Sequence, residues 1–219
     1  MLRILHLPSL AQWSTAAGLN VARGVGVGGG VVVSAGELVP VEEVRQWVAS
    51  VARRLALLHV AYARAVVEEL GVERGLRVIA RAIREYGRAI GERTREEVVK
   101  LGLEPTPENF DRAPTYRVPP YGMYDRVEVV EVEGERRVRV YGCVLARVWR
   151  ELGEDRLGRL YCYVDVAKYM AYNPNYKQVH VRCVPDGDEY CELTVRPTTE
   201  KEREDFTSKE VDWLYADHR

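Results

Sequence analysis

Two long runs of helical periodicity, separated by a single glycine, constrain the fold of this chain more than any other feature. In the first run, apolar residues recur three or four positions apart at Val44, Trp47, Val48, Val51, Leu55, Leu58, Tyr62 and Val66. This spacing predicts one amphipathic helix over residues 41–70, and Gly71 is typical of the residue that ends such a helix. We interpret His59, within the stripe, as a core or interface histidine, because no Cys, Asp or second His lies one turn away.

The second run predicts a helix whose apolar face contains Leu76, Ile79, Ile83, Tyr86 and Ile90. Gly87 and Gly91 occur four residues apart where a helix former is expected, and each costs about 1 kcal/mol relative to alanine. Residues at this spacing lie on the same side of a helix. The two glycines therefore predict close approach of another element or of a ligand.

Alternating polar and apolar residues later in the chain predict two antiparallel hairpins. In the first hairpin, residues 126–132 pair with 136–141 around Glu133-Gly134, and the polar residues of the alternation place one face of this hairpin in solvent. In the second hairpin, residues 178–184 pair with 190–196 through a turn at 184–187. Helical spacing over 143–152 and 158–172 lies between the hairpins, and Asn173-Pro174 ends the second helix. The predicted fold is α+β: a long N-terminal helical pair packed with an antiparallel sheet made of hairpins, with helices inserted between the hairpins.

These patterns divide the chain into three parts. Residues 40–196 form the predicted α+β domain, residues 1–39 are expected to be poorly structured, and residues 197–219 form a charged tail that is predicted to be exposed. The glycine run at 24–30 lacks the Lys-Ser/Thr of a phosphate-binding loop, and a further hypothesis is that translation begins at a valine near 25–33. In the tail, Trp213, Leu214 and Tyr215 are available to dock on the body or on a partner.

Composition limits the classes of function. The formal net charge of −1 offers no basic surface for a nucleic-acid backbone, and no run approaches the roughly 18 apolar residues of a membrane-spanning helix. His6 and Pro8 make the N-terminus a poor signal peptide, so we expect a cytoplasmic protein with no nucleic-acid or membrane partner. Only seven residues are Asn or Gln, which suits a thermophile.

Three of the four cysteines lie between Tyr161 and Leu193, together with one of the four histidines. Cys162, His180, Cys183 and Cys191 match a Cys3His zinc set, in which we expect a structural role in preference to a catalytic one. His180 and Cys183 are three residues apart, so on a regular strand they point to opposite faces, and a shared ion requires a β-bulge. Two alternatives stay open: buried thiols without a ligand, and a Cys183–Cys191 disulfide across the hairpin.

Cys143 stands apart from this cluster. It follows Tyr141-Gly142 and opens a predicted helix, whose N-terminus favours a thiolate and lowers the pKa of the thiol. Cys143 is therefore the candidate nucleophile, and the alternative is a small buried residue at a junction between strand and helix. Asp165 lies three residues after Cys162 on a predicted helix, so these two side chains are expected to share a face.

A proline-rich loop connects the helical pair to the first hairpin. Five prolines between 105 and 120 accompany Tyr116, Tyr121 and Tyr124. Loops of this length in compact domains are often lids or binding loops, which makes the three tyrosines candidate pocket residues. The equal alternative is a stiff strap that packs its tyrosines on the core.

The order of these motifs resembles the L-2-amino-thiazoline-4-carboxylic acid hydrolase family. The resemblance rests on YGCVLA at 141–146, YCYVD at 161–165, NP at 173–174 and GDEYCEL at 187–193, and it covers roughly residues 40–196. The family is named for opening a thiazoline ring by hydrolysis to give N-carbamoyl-cysteine. The resemblance implies a hydrolase of a non-peptide C–N bond in cysteine-related metabolism, with Cys143 thiolate or zinc-bound water as nucleophile and Asp165 as acid/base. Asn173 and Asp188, within these motifs, are further candidate pocket residues.

The Gly-Asp-x-x-Cys hairpin also resembles 4-vinyl reductase-type small-molecule-binding domains. That resemblance implies zinc held by Cys162, His180, Cys183 and Cys191. The alternative function is therefore a zinc-clipped, sensor-like domain that binds a small molecule without catalysis, with a closed Cys3His site and no carboxylate near Cys143. A third alternative is a homo-oligomeric structural protein built on the helix at 41–70. The near-heptad apolar stripe of this helix predicts a homo-oligomer, in the simplest case a dimer.

Overall fold

A computed structural model describes residues 30–34, 37–116, 122–208 and 213–217. Its architecture is the predicted α+β fold, in which two consecutive long helices pack with a four-stranded antiparallel sheet. The helices are α1 (Val41–Leu70), α2 (Val72–Lys100), α3 (Val144–Glu151), α4 (Asp155–Cys162), α5 (Val164–Tyr172) and α6 (Glu200–Thr207). The strands are β1 (Gly30–Ser34), β2 (Glu37–Pro40), β3 (Arg126–Val132), β4 (Glu135–Tyr141), β5 (Tyr176–Arg182) and β6 (Cys191–Pro197).

Helix α1 has the bounds that its periodicity predicts, but it buries a different face from the apolar stripe in the sequence. The buried positions are the small or branched residues Ala52, Ala56, Val60 and Ala63. The stripe residues Val51, Leu58 and Tyr62 remain 63%, 55% and 67% exposed. His59 lies in the core as expected: its Nε2 is 2.8 Å from the carbonyl oxygen of Leu157.

The glycine pair of α2 marks the closest approach between helices. A β-carbon at Gly87 would overlap the side chain of Ala167, and one at Gly91 would overlap the carbonyl oxygen of Lys168. Real β-carbons do not tolerate contacts this short with a backbone atom, so α5 can lie against α2 only because both positions are glycine. The predicted close approach is confirmed, and it places α5 in the interior along its length.

The main sheet has the strand order β3-β4-β6-β5, with every neighbouring pair antiparallel. One face carries Val140 and Leu193 into a core shared with α1 and α3. On strands β4 and β6, the alternate side chains include Glu192, whose carboxylate accepts hydrogen bonds from Arg137 at 2.8 Å and Arg139 at 2.6 Å. The alternation of the strands therefore produces one apolar and one polar face, as predicted.

The single helix predicted over 158–172 is wrong. The structure has two helices, α4 and α5, with a break at Tyr163. Apolar spacing continues across the break because both helices bury one face, so the period alone does not locate it. As a consequence, Cys162 ends one helix and Asp165 begins the next.

The proline-rich segment behaves as a strap over its described part. Residues Pro107–Arg112 and Pro114–Tyr116 form short 3₁₀ turns. Phe110 is buried and stacks on Tyr169 with ring centroids 4.2 Å apart. Tyr116 packs beside this pair, whereas Tyr121 lies outside the described residues.

The C-terminal segment docks on α5, so of the two alternatives for Trp213 the structure shows docking on the body of the same chain. Phe206, Trp213 and Ala216 are buried against Val166 and Met170. A capping box, in which Thr199 and Glu202 bond reciprocally, begins α6. The aromatic residues of the tail therefore close the core of the same chain.

At the other end, β1 and β2 form an antiparallel hairpin within the segment that was expected to be poorly structured. Valine-rich sequence at 31–33 suits a strand despite the preceding glycines. Residues 1–29, which include most of the glycine run and the hypothetical translation start, lie outside the described part of the chain. Across the described ranges, none of the helices has the combination of length and apolarity that crossing a bilayer requires.

Candidate functional site

Three side chains from different elements meet beneath the second hairpin. Cys162 ends α4, His180 lies in β5, and Cys183 follows β5 directly. One donor atom from each residue lies within 4.8 Å of the other two, and His180 and Cys183 are buried. Two thiols and one imidazole at this separation are suited to hold a soft or borderline metal ion such as Zn²⁺.

A β-bulge makes this convergence possible. The register between β5 and β6 shifts between His180 and Arg182, because His180 pairs with Leu193 and Arg182 pairs with the adjacent Glu192. The extra residue is Val181, which changes the side to which the following side chains point. The irregularity that the sequence requires for a shared ion is therefore present at the required position.

Cys191 lies beside the three-donor group but is not one of its members. Its Sγ accepts a hydrogen bond from the backbone N–H of Val184 at 3.4 Å. Hydrogen bonding with the Cys183 thiol, followed by burial, raises the pKa of Cys191. All four cysteines are free thiols, so the structure contains no Cys183–Cys191 disulfide. The arrangement has three convergent donors with a fourth thiol adjacent to them.

His180 is oriented by a carboxylate that sequence analysis missed. The backbone N–H of His180 donates to Asp217 Oδ1 at 2.7 Å, and its ring Nδ1 lies 3.1 Å from Asp217 Oδ2. Burial lowers the pKa of His180, but the hydrogen bond and charge of Asp217 outweigh it, and the pKa is raised. The other ring nitrogen, Nε2, is 3.5 Å from Asp165 Oδ2.

Arg159 supplies the positive charge of this region. Its guanidinium contacts Asp217 Oδ2 at 2.6 Å and Asp186 Oδ2 at 2.9 Å, and it interacts electrostatically with Cys183 and Cys162. The buried Nη1 atom of Arg159 has no hydrogen-bond partner of its own. The charge of Arg159 favours the thiolate forms, which are the forms that bind metal. Other effects outweigh it: hydrogen bonding with Cys162 raises the pKa of Cys183, and hydrogen bonding with Cys183 lowers the pKa of Cys162 but burial and the neighbouring thiols raise it by more, so the pKa of both thiols is raised.

Asp165 joins the three-donor group to a partly buried ion pair with Lys168. Its Oδ1 lies 2.5 Å from the ammonium nitrogen of Lys168. Burial opposes the charge on Lys168, but the neighbouring Asp165 carboxylate more than compensates, so the pKa of Lys168 is raised. The ammonium group also lies about 6 Å from the ring centroids of Phe110, Tyr116 and Tyr169. Lys168 therefore stays positively charged within an aromatic enclosure.

Cys143 lies where the sequence predicts, but burial opposes the expected lowering of its pKa. It is the N-cap of α3, its side chain makes no capping hydrogen bond, and the nearby backbone N–H groups of Ala146 and Leu145 lower the pKa of its thiol. Burial outweighs these donors and raises the pKa of Cys143 to about 11. Activation of this thiol stays a prediction, and burial works against it, because a largely buried sulfur loses more from desolvation than it gains from the helix N-terminus.

The tyrosines near the site are neutral and enclosed. Tyr124 interacts electrostatically with Cys143, Asp165 and Lys168, and burial raises its pKa. Burial also raises the pKa of Tyr116 and of Tyr161. These side chains offer hydroxyl groups and apolar rings around Asp165, as a small-molecule site requires.

The motif residues Asn173 and Asp188 have hydrogen bonds within the protein. The amide nitrogen of Asn173 donates to the carbonyl oxygen of Pro105 at 2.8 Å, which ties the strap to the end of α5. Asp188 Oδ2 accepts from the backbone N–H of Cys183 at 2.8 Å. Asn173 therefore holds the strap and Asp188 holds the turn that carries Cys183, and contact of either residue with a substrate stays a prediction.

Comparison with known proteins gave one match to a family. The family model described as L-2-amino-thiazoline-4-carboxylic acid hydrolase matches residues 51–195, which is well over half of the chain. No curated protein and no solved structure gave a match. The matched span contains Cys143, Asp165, Lys168 and the three-donor group, and it ends before Asp217.

Proposed function

This chain belongs to the L-2-amino-thiazoline-4-carboxylic acid hydrolase family, and on that premise we propose that it opens the ring of a 2-amino-thiazoline carboxylate by hydrolysis. The observation that carries the proposal is the position of Asp165. This carboxylate lies between a partly buried cation, Lys168, and the imidazole of His180, within the aromatic enclosure. Asp165, as the general acid/base, is therefore adjacent to Lys168, whose positive charge can bind an anionic substrate.

The product defines which bond must break. In a 2-amino-thiazoline, one carbon carries the amino nitrogen, the ring nitrogen and the ring sulfur. Both nitrogens remain on that carbon in N-carbamoyl-cysteine, so hydrolysis cleaves the carbon–sulfur bond, in place of the C–N bond expected from the sequence resemblance. Water supplies the new carbonyl oxygen, one proton goes to the leaving sulfur, and the other goes to the ring nitrogen.

Asp165 performs the proton transfers in this proposal. Its carboxylate accepts a proton from the attacking water while the oxygen adds to the amidine carbon, and it returns that proton to the sulfur as the ring opens. The Lys168 ammonium has donors beyond the one directed at Asp165, and these bind the substrate carboxylate. The rings of Tyr116 and Tyr169 cover the ammonium group and limit its contact with water.

The residues present fit a zinc ion. The ion would be held by Cys162, His180 and Cys183, because the donor atoms of these residues converge. His180 also has the outer carboxylate, Asp217, that zinc-binding histidines usually have. The positive charge of Arg159 would balance the negative charge of the two thiolates. Zinc bound by three protein donors keeps a position open and supplies Lewis acidity. Cys191 is the side chain that would close the site as a fourth ligand.

Two observations support an enzyme over the sensor-like alternative. That alternative predicts a closed Cys3His site and no carboxylate near Cys143. The three-donor group excludes Cys191, and the Asp165 carboxylate interacts electrostatically with the Cys143 thiol. Both features are those expected of the hydrolase.

The direct test is incubation of the purified protein with 2-amino-thiazoline-4-carboxylate. Release of one thiol per substrate consumed, followed with a thiol reagent, together with N-carbamoyl-cysteine identified by mass spectrometry, would support the proposal. Tight binding of the compound without turnover would instead favour the sensor-like function. The corresponding oxazoline is a useful second substrate, because its ring opening releases no thiol.

Replacing Cys143 by serine is expected to lower kcat by less than about tenfold, which corresponds to about 1.4 kcal/mol in the barrier. The reason is that a thiol with a pKa of about 11 is scarcely ionised at neutral pH, so water is the better candidate nucleophile. Steady-state kinetics of Cys143→Ser and Cys143→Ala check this. A loss of more than about 1,000-fold, with a covalent adduct on Cys143 of the parent protein, would restore the thiol as nucleophile.

We also propose that two copies of the chain associate through the exposed stripe of α1. Val51, Leu58 and Tyr62 present apolar surface at near-heptad spacing, which water disfavours and a second helix would cover. Leu58→Glu is expected to convert a dimer to monomers in sedimentation velocity at several concentrations. Leu57→Glu is the matched control, because Leu57 is also exposed but lies off the stripe. A parent protein that is monomeric at every concentration would contradict this proposal.

A further inference from the structure

Asp217 lies 37 residues after His180 in sequence, yet it is the buried partner of that histidine. Its side chain is 0% exposed. Its two oxygens accept from the backbone N–H and the ring of His180, and from Arg159. A fully buried carboxylate costs several kcal/mol to desolvate unless it is paired in this way, so this arrangement constrains all three groups.

We propose that Asp217 is a positioning residue of the metal centre, supplied by the C-terminal segment, which holds His180 with Nε2 directed to the ion. The proposal rests on the zinc site of the proposed function. It goes beyond that function because residues 196–219 lie outside the span that the family model matches.

The hydrogen-bond pattern determines the tautomer of His180. Asp217 as a carboxylate has acceptors only, so the ring nitrogen that faces it, Nδ1, must carry a proton. A neutral imidazole with a proton on Nδ1 has its lone pair on Nε2. Nε2 is therefore the nitrogen available to a metal, and an outer carboxylate on the opposite nitrogen raises its basicity.

The C-terminal segment that carries Asp217 is anchored by contacts separate from the site. Trp213 and Ala216 pack in the α5 core, and the Tyr215 hydroxyl donates to Asp205 at 2.5 Å. The guanidinium of Arg84, which is buried, donates to the carbonyl oxygen of Ser208 at 2.5 Å. Because these contacts place the segment independently, a change at Asp217 can alter His180 while the segment remains docked.

Docking of the segment and metal binding are then thermodynamically linked. If the docked segment increases metal affinity, the bound metal stabilises docking by the same factor. We therefore expect zinc to slow backbone hydrogen exchange in residues 213–217 of the parent protein, and to slow it less in a variant that lacks the Asp217 carboxylate.

The decisive variant is Asp217→Asn, which keeps the size of the side chain. The amide of asparagine has one oxygen that accepts hydrogen bonds and one NH₂ group that donates them. It cannot accept hydrogen bonds from His180 and Arg159 with both terminal atoms, so in one contact the NH₂ group faces another hydrogen-bond donor. We expect zinc affinity, measured by chelator competition, to fall by about 10–100-fold, as for other changes to the partners of metal ligands. The cobalt-substituted variant is expected to show altered visible absorption bands, and long-range ¹⁵N NMR of the metal-free variant is expected to show loss of the Nδ1–H tautomer of His180.

Two control variants separate positioning from general loosening of the segment. Asp186→Asn removes the other carboxylate on Arg159 without contacting His180, and Asp205→Asn weakens the anchor of Tyr215. The proposal is overturned if Asp217→Asn binds zinc as tightly as the parent protein, or if both controls weaken zinc binding equally.

The readouts also distinguish this inference from the proposed function. A parent protein that binds zinc and shows the Asp217 effects, but does not hydrolyse the thiazoline, would retain the positioning role and reject the hydrolase. A parent protein that binds no zinc would reject the metal centre. A neutral His180 ring whose single proton lies on Nε2 in the metal-free parent protein would reject the positioning of His180 on its own.

Discussion

Replacing Asp165 by asparagine is expected to lower kcat by about 10²–10⁴-fold, the usual contribution of a positioned acid/base. Asparagine keeps the shape of the side chain and an acceptor for the Lys168 ammonium, but it cannot take a proton from water or return one to sulfur. The measurement is steady-state kinetics on the thiazoline carboxylate, with the melting temperature recorded for each variant. An unchanged kcat would remove Asp165 from the mechanism.

Replacing Lys168 separates its role from that of Asp165, its partner in the ion pair. Lys168→Met retains the carboxylate and the length of the side chain but removes the charge, so we expect a raised KM from loss of substrate binding. Asp125→Asn is the control outside the site, because Asp125 forms an exposed ion pair with Arg147 at 3.3 Å. If Asp165→Asn and Lys168→Met alter the melting temperature and kcat identically, the pair has a structural role only.

Replacing Cys162 or Cys183 by serine is expected to weaken zinc binding by more than about 100-fold, beyond the effect of a change in an outer partner. A serine hydroxyl is not ionised at neutral pH and is a poor replacement for a thiolate on zinc. The measurement is metal analysis of protein purified without chelators, with thiol titration before and after zinc removal. Protein that carries no metal and has four reactive thiols would contradict the zinc site.

Two further cysteine variants complete that experiment. Cys143→Ser removes a thiol outside the three-donor group and is expected to leave zinc binding unchanged. Cys191→Ser distinguishes an open site from a closed one: retention of zinc supports three protein ligands, whereas loss of zinc supports the closed Cys3His set expected of a structural clip. The count of bound thiols thereby separates a catalytic from a structural role.

Local patterns in the sequence were sufficient for most of the fold. The bounds of α1, the helix at 72–100 and the β3–β4 hairpin follow from apolar spacing and from turn residues such as Glu133-Gly134. The β-bulge beside His180 follows from a chemical requirement, since one ion cannot bind both faces of a regular strand. Each of these inferences uses residues within a few positions of one another, where backbone geometry determines which side chains meet.

The limits of this reasoning appear where distant segments meet. The stripe on α1 is apolar, yet the chain buries Ala52 and Ala56 on another face, because only small side chains allow close packing of α3. The break at Tyr163 depends on how α4 and α5 pack on different partners. The spacing of apolar residues is the same whichever face of α1 is buried, and it is the same with or without a break at Tyr163.

The sequence by itself determined the two long helices, the two hairpins of the main sheet and the candidate residues for metal binding and proton transfer. Only the tertiary structure decided that Asp217 accepts hydrogen bonds from His180, that Lys168 pairs with Asp165, and that burial raises the pKa of the Cys143 thiol. The physical reason is that hydrogen-bond partners and desolvation depend on groups brought together in space. A helix N-terminus at Cys143 is visible in the sequence, but the burial that reverses its effect on the pKa of the thiol is not.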